Sequence, residues 1–282
     1  MIKKVFIGVV FMLCAALAVL GQSHPDMPIK KAINQSTLFG VGAMIMTDTY
    51  LSPLEYDGLS LSLFHERLNA TSLLKSKLLL QQQFLLQAAS TTNPIGNANS
   101  YYGNINYQLN GFYPIVATNT FRLLGGAGAD LSLGGIYNIR NSNNPAQLKT
   151  SINLNASLLA FYKWNLFTFR WQVSSPLMGV FFSPEYGHSY YEIFVLGNDS
   201  GTIHFGTPAN QRGLRNYITA DYPVGKVTFR VGYLRNYYRT EVNNLITSIS
   251  SHQFVIGLAF ESLSFGRREV ENYDWLKSVY ND

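Results

Sequence analysis

Cysteine, charge and long apolar runs are all scarce in this 282-residue chain. The one cysteine, Cys14, excludes an internal disulfide framework and a cysteine metal cluster. Charged residues are 13% of the chain, about half the usual quarter, which argues against an ordinary soluble enzyme. After residue 21 nothing approaches the ~20 consecutive apolar residues of a membrane-spanning helix. The five histidines (His24, His65, His188, His204, His252) form no HxxxH or HExxH pair, so spacing supports no zinc site. Basic residues are scattered, without the clustered stripe of a nucleic-acid binder, even though the formal charge is +5.

Aromatics, by contrast, make up 14%, with 18 Tyr and 18 Phe. Tyr101–Tyr113 shows how they are arranged. Tyr101, Gly103, Ile105, Tyr107, Leu109, Gly111 and Tyr113 share one face of an extended strand, and Tyr102, Asn104, Asn106, Gln108, Asn110 and Phe112 the other. A face that is apolar with aromatic ends, backed by one of uncharged amides, is the pattern of a transmembrane β-strand, which faces lipid on one side and a lumen on the other. A barrel of such strands accounts for low charge and the lack of apolar runs together.

The N-terminus has the layout of a signal peptide. Lys3 and Lys4 precede the apolar stretch Val5–Leu20, and the small residues Val19 and Gly21 predict cleavage before Gln22; an uncleaved anchor is the alternative. Cys14 would leave with the signal. Loss of Lys3 and Lys4 would also lower the formal charge by two, which makes the sequence pI near 9.1 a weak pointer.

Ten alternating segments follow: Leu38–Tyr50, Leu59–Leu68, Lys77–Ser90, Tyr101–Tyr113, Thr120–Ile136, Lys149–Tyr162, Leu166–Ser174, Gly213–Tyr222, Lys226–Tyr238 and Thr247–Glu261. Gln22–Asn34 is expected to be a polar entry segment, and Lys77–Ser90 taken alone also fits a helix, since Leu and Gln are good helix formers. With the N-terminus on the periplasmic side, inner turns fall at 69–76, 114–119, 163–165 and 223–225. Outer loops fall at 51–57, 91–100, 137–148, 175–212 and 239–246, mostly the longer set, as in bacterial barrels. The longest, 175–212, could cover the mouth, enter the lumen or add a hairpin. The expectation is an all-β, antiparallel, up-and-down transmembrane barrel of about ten strands, twelve with that hairpin. It is divided as signal 1–21, barrel 22–261 and periplasmic tail 262–282.

Two groups of residues have chemical potential. Glu185, His188, Ser189 and Glu192 supply a carboxylate, an imidazole and a hydroxyl within eight residues, the components of nucleophilic catalysis. Adjacent side chains on a strand diverge, however, and a polar surface loop is the better explanation of the group. On the lumen face, Glu66, Asp130, Asp221 and Glu261 can meet Arg122, Arg170, Arg215 and Arg230. This predicts a ladder of ion pairs filling a narrow barrel, or a charged constriction selecting small solutes.

Tyr50–Gly58, Arg140–Ala146 and the run Ser183–Phe194 together resemble a family of uncharacterised Bacteroidetes outer-membrane β-barrels of similar length. The resemblance implies a signal-bearing outer-membrane barrel and carries over no catalytic residue. The expected role is non-enzymatic: a scaffold, a surface-binding protein or a narrow channel in the outer membrane. A barrel enzyme acting on lipid or peptide at the outer rim and a secreted soluble all-β binding protein are the alternatives. Outer-membrane lipid and other envelope proteins are the expected partners, and no cofactor or metal is expected.

Overall fold

Each alternating segment forms a strand in the computed structural model. It describes residues 32–263 apart from 72–77, 119, 143 and 226, and only the backbone of Ala32 and 261–263. The expected signal 1–21, most of the entry segment, most of the turn 69–76 and the tail beyond 263 lie outside the described residues. The strands are β1 Ala32–Asp48, β2 Ser52–Ala70, β3 Leu79–Thr92, β4 Asn99–Ala117, β5 Phe121–Asn138, β6 Ala146–Trp164 and β7 Phe167–Phe182. After a short helix, α1 Tyr190–Phe194, come β8 Ile203–Gly206, β9 Gln211–Val224, β10 Val227–Val242 and β11 Leu245–Leu263. Neighbours pair antiparallel from β1 through β7, then β7–β9–β10–β11, and β11 returns to β1. The wall is therefore a closed ten-stranded barrel. β8 pairs only with the end of β7, so loop 175–212 adds no wall hairpin.

The period-2 pattern sets which side chain faces which way. Phe39, Val41 and Ile45 on β1 are exposed while Leu38 and Met44 are fully buried, and Leu59, Leu61 and Leu63 on β2 face out against buried Ser60 and Ser62. Phe254, Ile256, Leu258 and Phe260 mark an apolar run of about 20 Å along β11. At one rim Trp164, Phe167 and Phe169 stack with centroids 6.1–6.5 Å apart and Tyr222 joins Phe167 at 5.1 Å, an aromatic girdle of the kind found where a barrel meets the lipid headgroups. Tyr101, Ile105, Tyr107 and Tyr113 on β4 and Leu154 and Leu158 on β6 are likewise exposed, so the apolar faces point outward.

Most wall strands run longer than the alternation predicted, β3 being as long as expected. The ten wall strands are 14 to 19 residues long, whereas a tilted strand crosses a bilayer in about 9–11. Beyond the apolar band the hairpins continue as paired ribbons, where lipid no longer imposes alternation. β1 therefore begins six residues before Leu38, and the expected loop 51–57 is mostly strand, its turn reduced to Thr49–Leu51. Pro114, expected in a turn, sits at a β-bulge inside β4 instead, since a bulge tolerates the missing N–H. The outer connection between β10 and β11 shrinks to Asn243-Asn244, with φ of 54° and 57°. Two left-handed residues make the tight turn whose twist matches a hairpin.

Candidate functional site

Side chains occupy the lumen in successive layers. Next to the end where the described chain begins and ends, Leu68, Phe112, Leu124, Leu159 and Phe161 form an apolar floor. Above it lies a belt of buried charge. Glu66 on β2 forms a bidentate pair with Arg170 on β7, across the barrel, and a second ion pair of 3.1 Å with Arg230 on β10. Arg230 in turn forks onto Asp221 at 2.7 and 2.6 Å and donates to Ser36 at 2.8 Å. Gln81 donates to Glu66 at 2.5 Å and to Gln172 at 2.7 Å, while the Arg170 guanidinium lies 5.3 Å from the Tyr217 ring centre. Two carboxylates thus face two guanidiniums, with Gln81, Gln172 and Ser36 taking further positions and Arg170 Nε left without a partner; mutual pairing of this kind is what ions buried this completely require.

Of the eight lumen charges predicted from the sequence, the structure brings Glu66, Arg170, Asp221 and Arg230 into this one network. Asp130 and Arg215 sit higher, each held by amides. Asn106 donates to Asp130 at 2.7 Å, and Arg215 donates to Asn106 at 2.8 Å, Gln108 at 2.9 Å and Asn236 at 2.8 Å. Arg122 lies near the floor, in register with Phe161. Glu261 is in register with Asn34, and its side chain lies outside the described residues.

Around Asp130 and Arg215 the lumen widens into a cavity of about 120 Å³. Its lining is rich in amides and hydroxyls, and in it the buried Asn155 Oδ1 and Ser251 Oγ have no hydrogen-bond partner.

The opposite mouth is roofed. Lys149 on β6 reaches across the lumen to Asp48 at the end of β1, 2.6 Å away, and donates to Thr247 at 2.6 Å. Met44, Met46, Tyr50, Leu51, Tyr56 and Ile136 pack into an apolar cluster, and Tyr190 of α1 packs against it. Tyr50 donates to the His188 carbonyl at 2.7 Å, the Leu148 N–H donates to the Tyr190 hydroxyl at 2.5 Å, and the two rings meet edge to face at 6.5 Å. Burial raises both phenols above their ordinary value, so both stay protonated at neutral pH. Sequence reasoning missed this roof. Asp48 and Lys149 do fall on the lumen side of their strands, but only the closed topology shows that β1 and β6 face each other.

The His188 group is arranged for structure. Ser189 is the N-cap of α1, accepting from the Glu192 N–H at 3.2 Å, and the Glu192 carboxylate accepts from the Ser189 N–H at 2.8 Å and hydroxyl at 2.9 Å. This reciprocal capping box satisfies the helix start. The Ser189 hydroxyl therefore points at Glu192, and among the described residues the His188 ring makes no hydrogen bond to it. Glu185 contributes its carbonyl to the turn, accepting from the His188 N–H at 3.2 Å. Among the described residues no group of three or more His, Cys, Asp or Glu could hold a metal ion.

The fold is shared with the outer membrane protease OmpT of Escherichia coli, at a TM-score of 0.53 and 10% identity, over 85% of this chain and 100% of that one. The transport unit of the autotransporter AIDA-I from Escherichia coli aligns at 0.45 and 10% identity, over 86% of this chain and 93% of that one. The beta domain of the Bordetella autotransporter BrkA aligns at 0.42 and 11% identity, over 82% and 99%. At these identities the likeness concerns fold alone. No curated protein matches the sequence. The sequence model of one family matches residues 6–269, nearly the whole chain, and the chain accordingly belongs to that family, described as "Protein of unknown function (DUF3316)".

Proposed function

We propose that the protein resides in the outer membrane as a sealed barrel, a scaffold that presents its roofed end and loop 183–210 as a binding surface. The observation that carries this reading is the belt of Glu66, Arg170, Arg230 and Asp221, which ties opposite walls together across the lumen. A continuous polar path for solutes would have to break these ion pairs, so a scaffold or surface-binding role fits better than a channel. The apolar outer band supports placement in lipid, and the likeness to an outer membrane protease supports the same address. That likeness is one of fold alone and lends no proteolytic role here. Lipid and other envelope proteins are the partners this surface would meet.

Surface labelling tests the reading. Tyr191 is exposed on α1, and a Tyr191→Cys variant gives a thiol at the roof. In whole cells it should react with a membrane-impermeant maleimide, and the protein should sediment with the outer membrane. Recovery in a soluble periplasmic fraction without detergent would overturn the proposal.

A further inference from the structure

The wall of the barrel is not equally closed all the way round. Pairing between β7 and β9 ends at Ser174 and Arg215, and β7 next pairs on that side at Gly179, with Gly206 of β8. Over the four residues between, β7 bulges at Leu177 and carries Pro176, which has no N–H to donate. The gap is held by side chains: Ser175 Oγ donates to the Gly213 carbonyl at 2.9 Å, and the Pro176 ring rests on Gly213. A Cβ at Gly213 would lie 2.9 Å from Pro176 Cδ, so the absence of a side chain there is what lets the seam close. Ladder hydrogen bonds, which join the rest of the wall, are missing along this stretch.

The seam leads somewhere. Ser174, Pro176, Gly213 and Leu214 belong to the lining of the 120 Å³ cavity that also contains Asp130 and Arg215. The belt lies below that cavity and the Lys149–Asp48 bridge spans the lumen above it, which leaves the side. Outside the seam, Trp171, Leu177 and Met178 are exposed and apolar. Inside it, Asn155 Oδ1 is an acceptor, Asn236 Nδ2 a donor and Ser251 Oγ either, and all three are buried without a partner. Buried polar atoms left this way cost free energy that a hydrogen-bonding ligand recovers. Asp130 and Arg215 share the cavity, so a charged head would meet a like charge as well as an opposite one. A comparable cavity of 150 Å³ holds benzene, so the space admits a head of roughly six heavy atoms.

We propose that the upper lumen binds a single-chain amphiphile with a small, uncharged, hydroxylated head. The head enters sideways between β7 and β9 to reach Asn155, Asn236 and Ser251, and the chain stays outside against Leu177 and Met178. The proposal rests on the membrane placement and axial closure proposed above. Its test does not depend on conductance, so the two readings can fail separately.

The test uses the ¹⁵N-labelled barrel in phosphatidylcholine nanodiscs, titrated with monooleoylglycerol, with methyl oleate (a comparable chain without hydroxyls) and with glycerol alone. Monooleoylglycerol should shift the Asn155 and Asn236 side-chain amides saturably, and methyl oleate and glycerol should not at the same concentrations. Asn155→Leu should weaken the response at least tenfold, and Ser251→Ala provides a milder lining change should the first variant not fold. Unmoved amides with monooleoylglycerol, or undiminished binding in both variants, would overturn the site. Equal shifts with glycerol alone would overturn the lateral route, since a water-borne ligand would then be entering through an end.

Discussion

At the residue scale, charge in this barrel has two very different values. Glu66 is fully buried and joins two guanidiniums, so removing it leaves Arg170 without a counter-charge in the lumen, while Arg230 keeps Asp221. Breaking a buried pair in this way costs about 3–5 kcal/mol. Glu66→Ala should therefore lower the stability of the refolded barrel by about that amount in urea titrations. The pair Arg239–Glu241, 3.4 Å apart with 35% and 59% of each side chain exposed, contributes between about 0 and 1 kcal/mol, so Glu241→Ala should leave the midpoint nearly unchanged. Equal losses from the two substitutions would contradict the belt as the structural tie. Glu192 supplies a pH effect. The Ser189 N–H and hydroxyl hold its carboxyl below the usual value of 4.5, with His188 adding to the effect. A depressed folded value means the carboxylate stabilises α1 fully above pH 4.5, and that this is lost as pH falls through the lowered value. Protease cleavage within 190–194 should accelerate only in that acid window. Glu192→Gln should flatten the dependence, and an acceleration that persists unchanged in that variant would assign it to another group.

At the scale of elements, the fit between neighbouring strands is set by inward glycines on β5. A Cβ on Gly128 would lie 2.1 Å from the Leu109 carbonyl and 2.3 Å from Asn110 Oδ1, and one on Gly126 would lie 2.5 Å from the Phe112 ring. These glycines give β4's lumen side chains their space. Gly128→Val should prevent formation of the folded, heat-modifiable species seen on gels of unboiled samples. Gly103→Ala should not, because an added Cβ there meets nothing within 4 Å. The strand faces themselves were legible, since alternation in Tyr101–Tyr113 or Lys149–Tyr162 follows directly from one side meeting lipid and the other a packed lumen. Strand ends were not. Past the lipid, Ser52 and Glu55–Asp57 pair with β1 without needing apolar alternation, and Pro53-Leu54 are taken up in a register shift, so Pro53 and Asp57-Gly58 look like a break in a sequence where the strand continues. The charges that meet were legible only in part. A lumen-facing position is a local property of one strand, but whether Arg170 reaches Glu66 depends on barrel closure, and so on which strands stand opposite. Ser189 and Glu192 had another explanation from the start, as their three-residue spacing is that of a capping box.

At the scale of the whole molecule, ten strands enclose a lumen that side chains can fill, and here they fill it in tiers: an apolar floor, a charged belt, a polar cavity and a tyrosine-capped roof. The tiers bind opposite walls together, which is the basis for the proposal of a sealed barrel in place of a channel. That claim is most directly tested by single-channel recording of the refolded protein in planar bilayers. The account predicts no stable open level at moderate voltage and neutral pH. Long-lived, uniform ion currents from the unmodified protein would show an open path past Glu66, Arg170 and Arg230 and would contradict it.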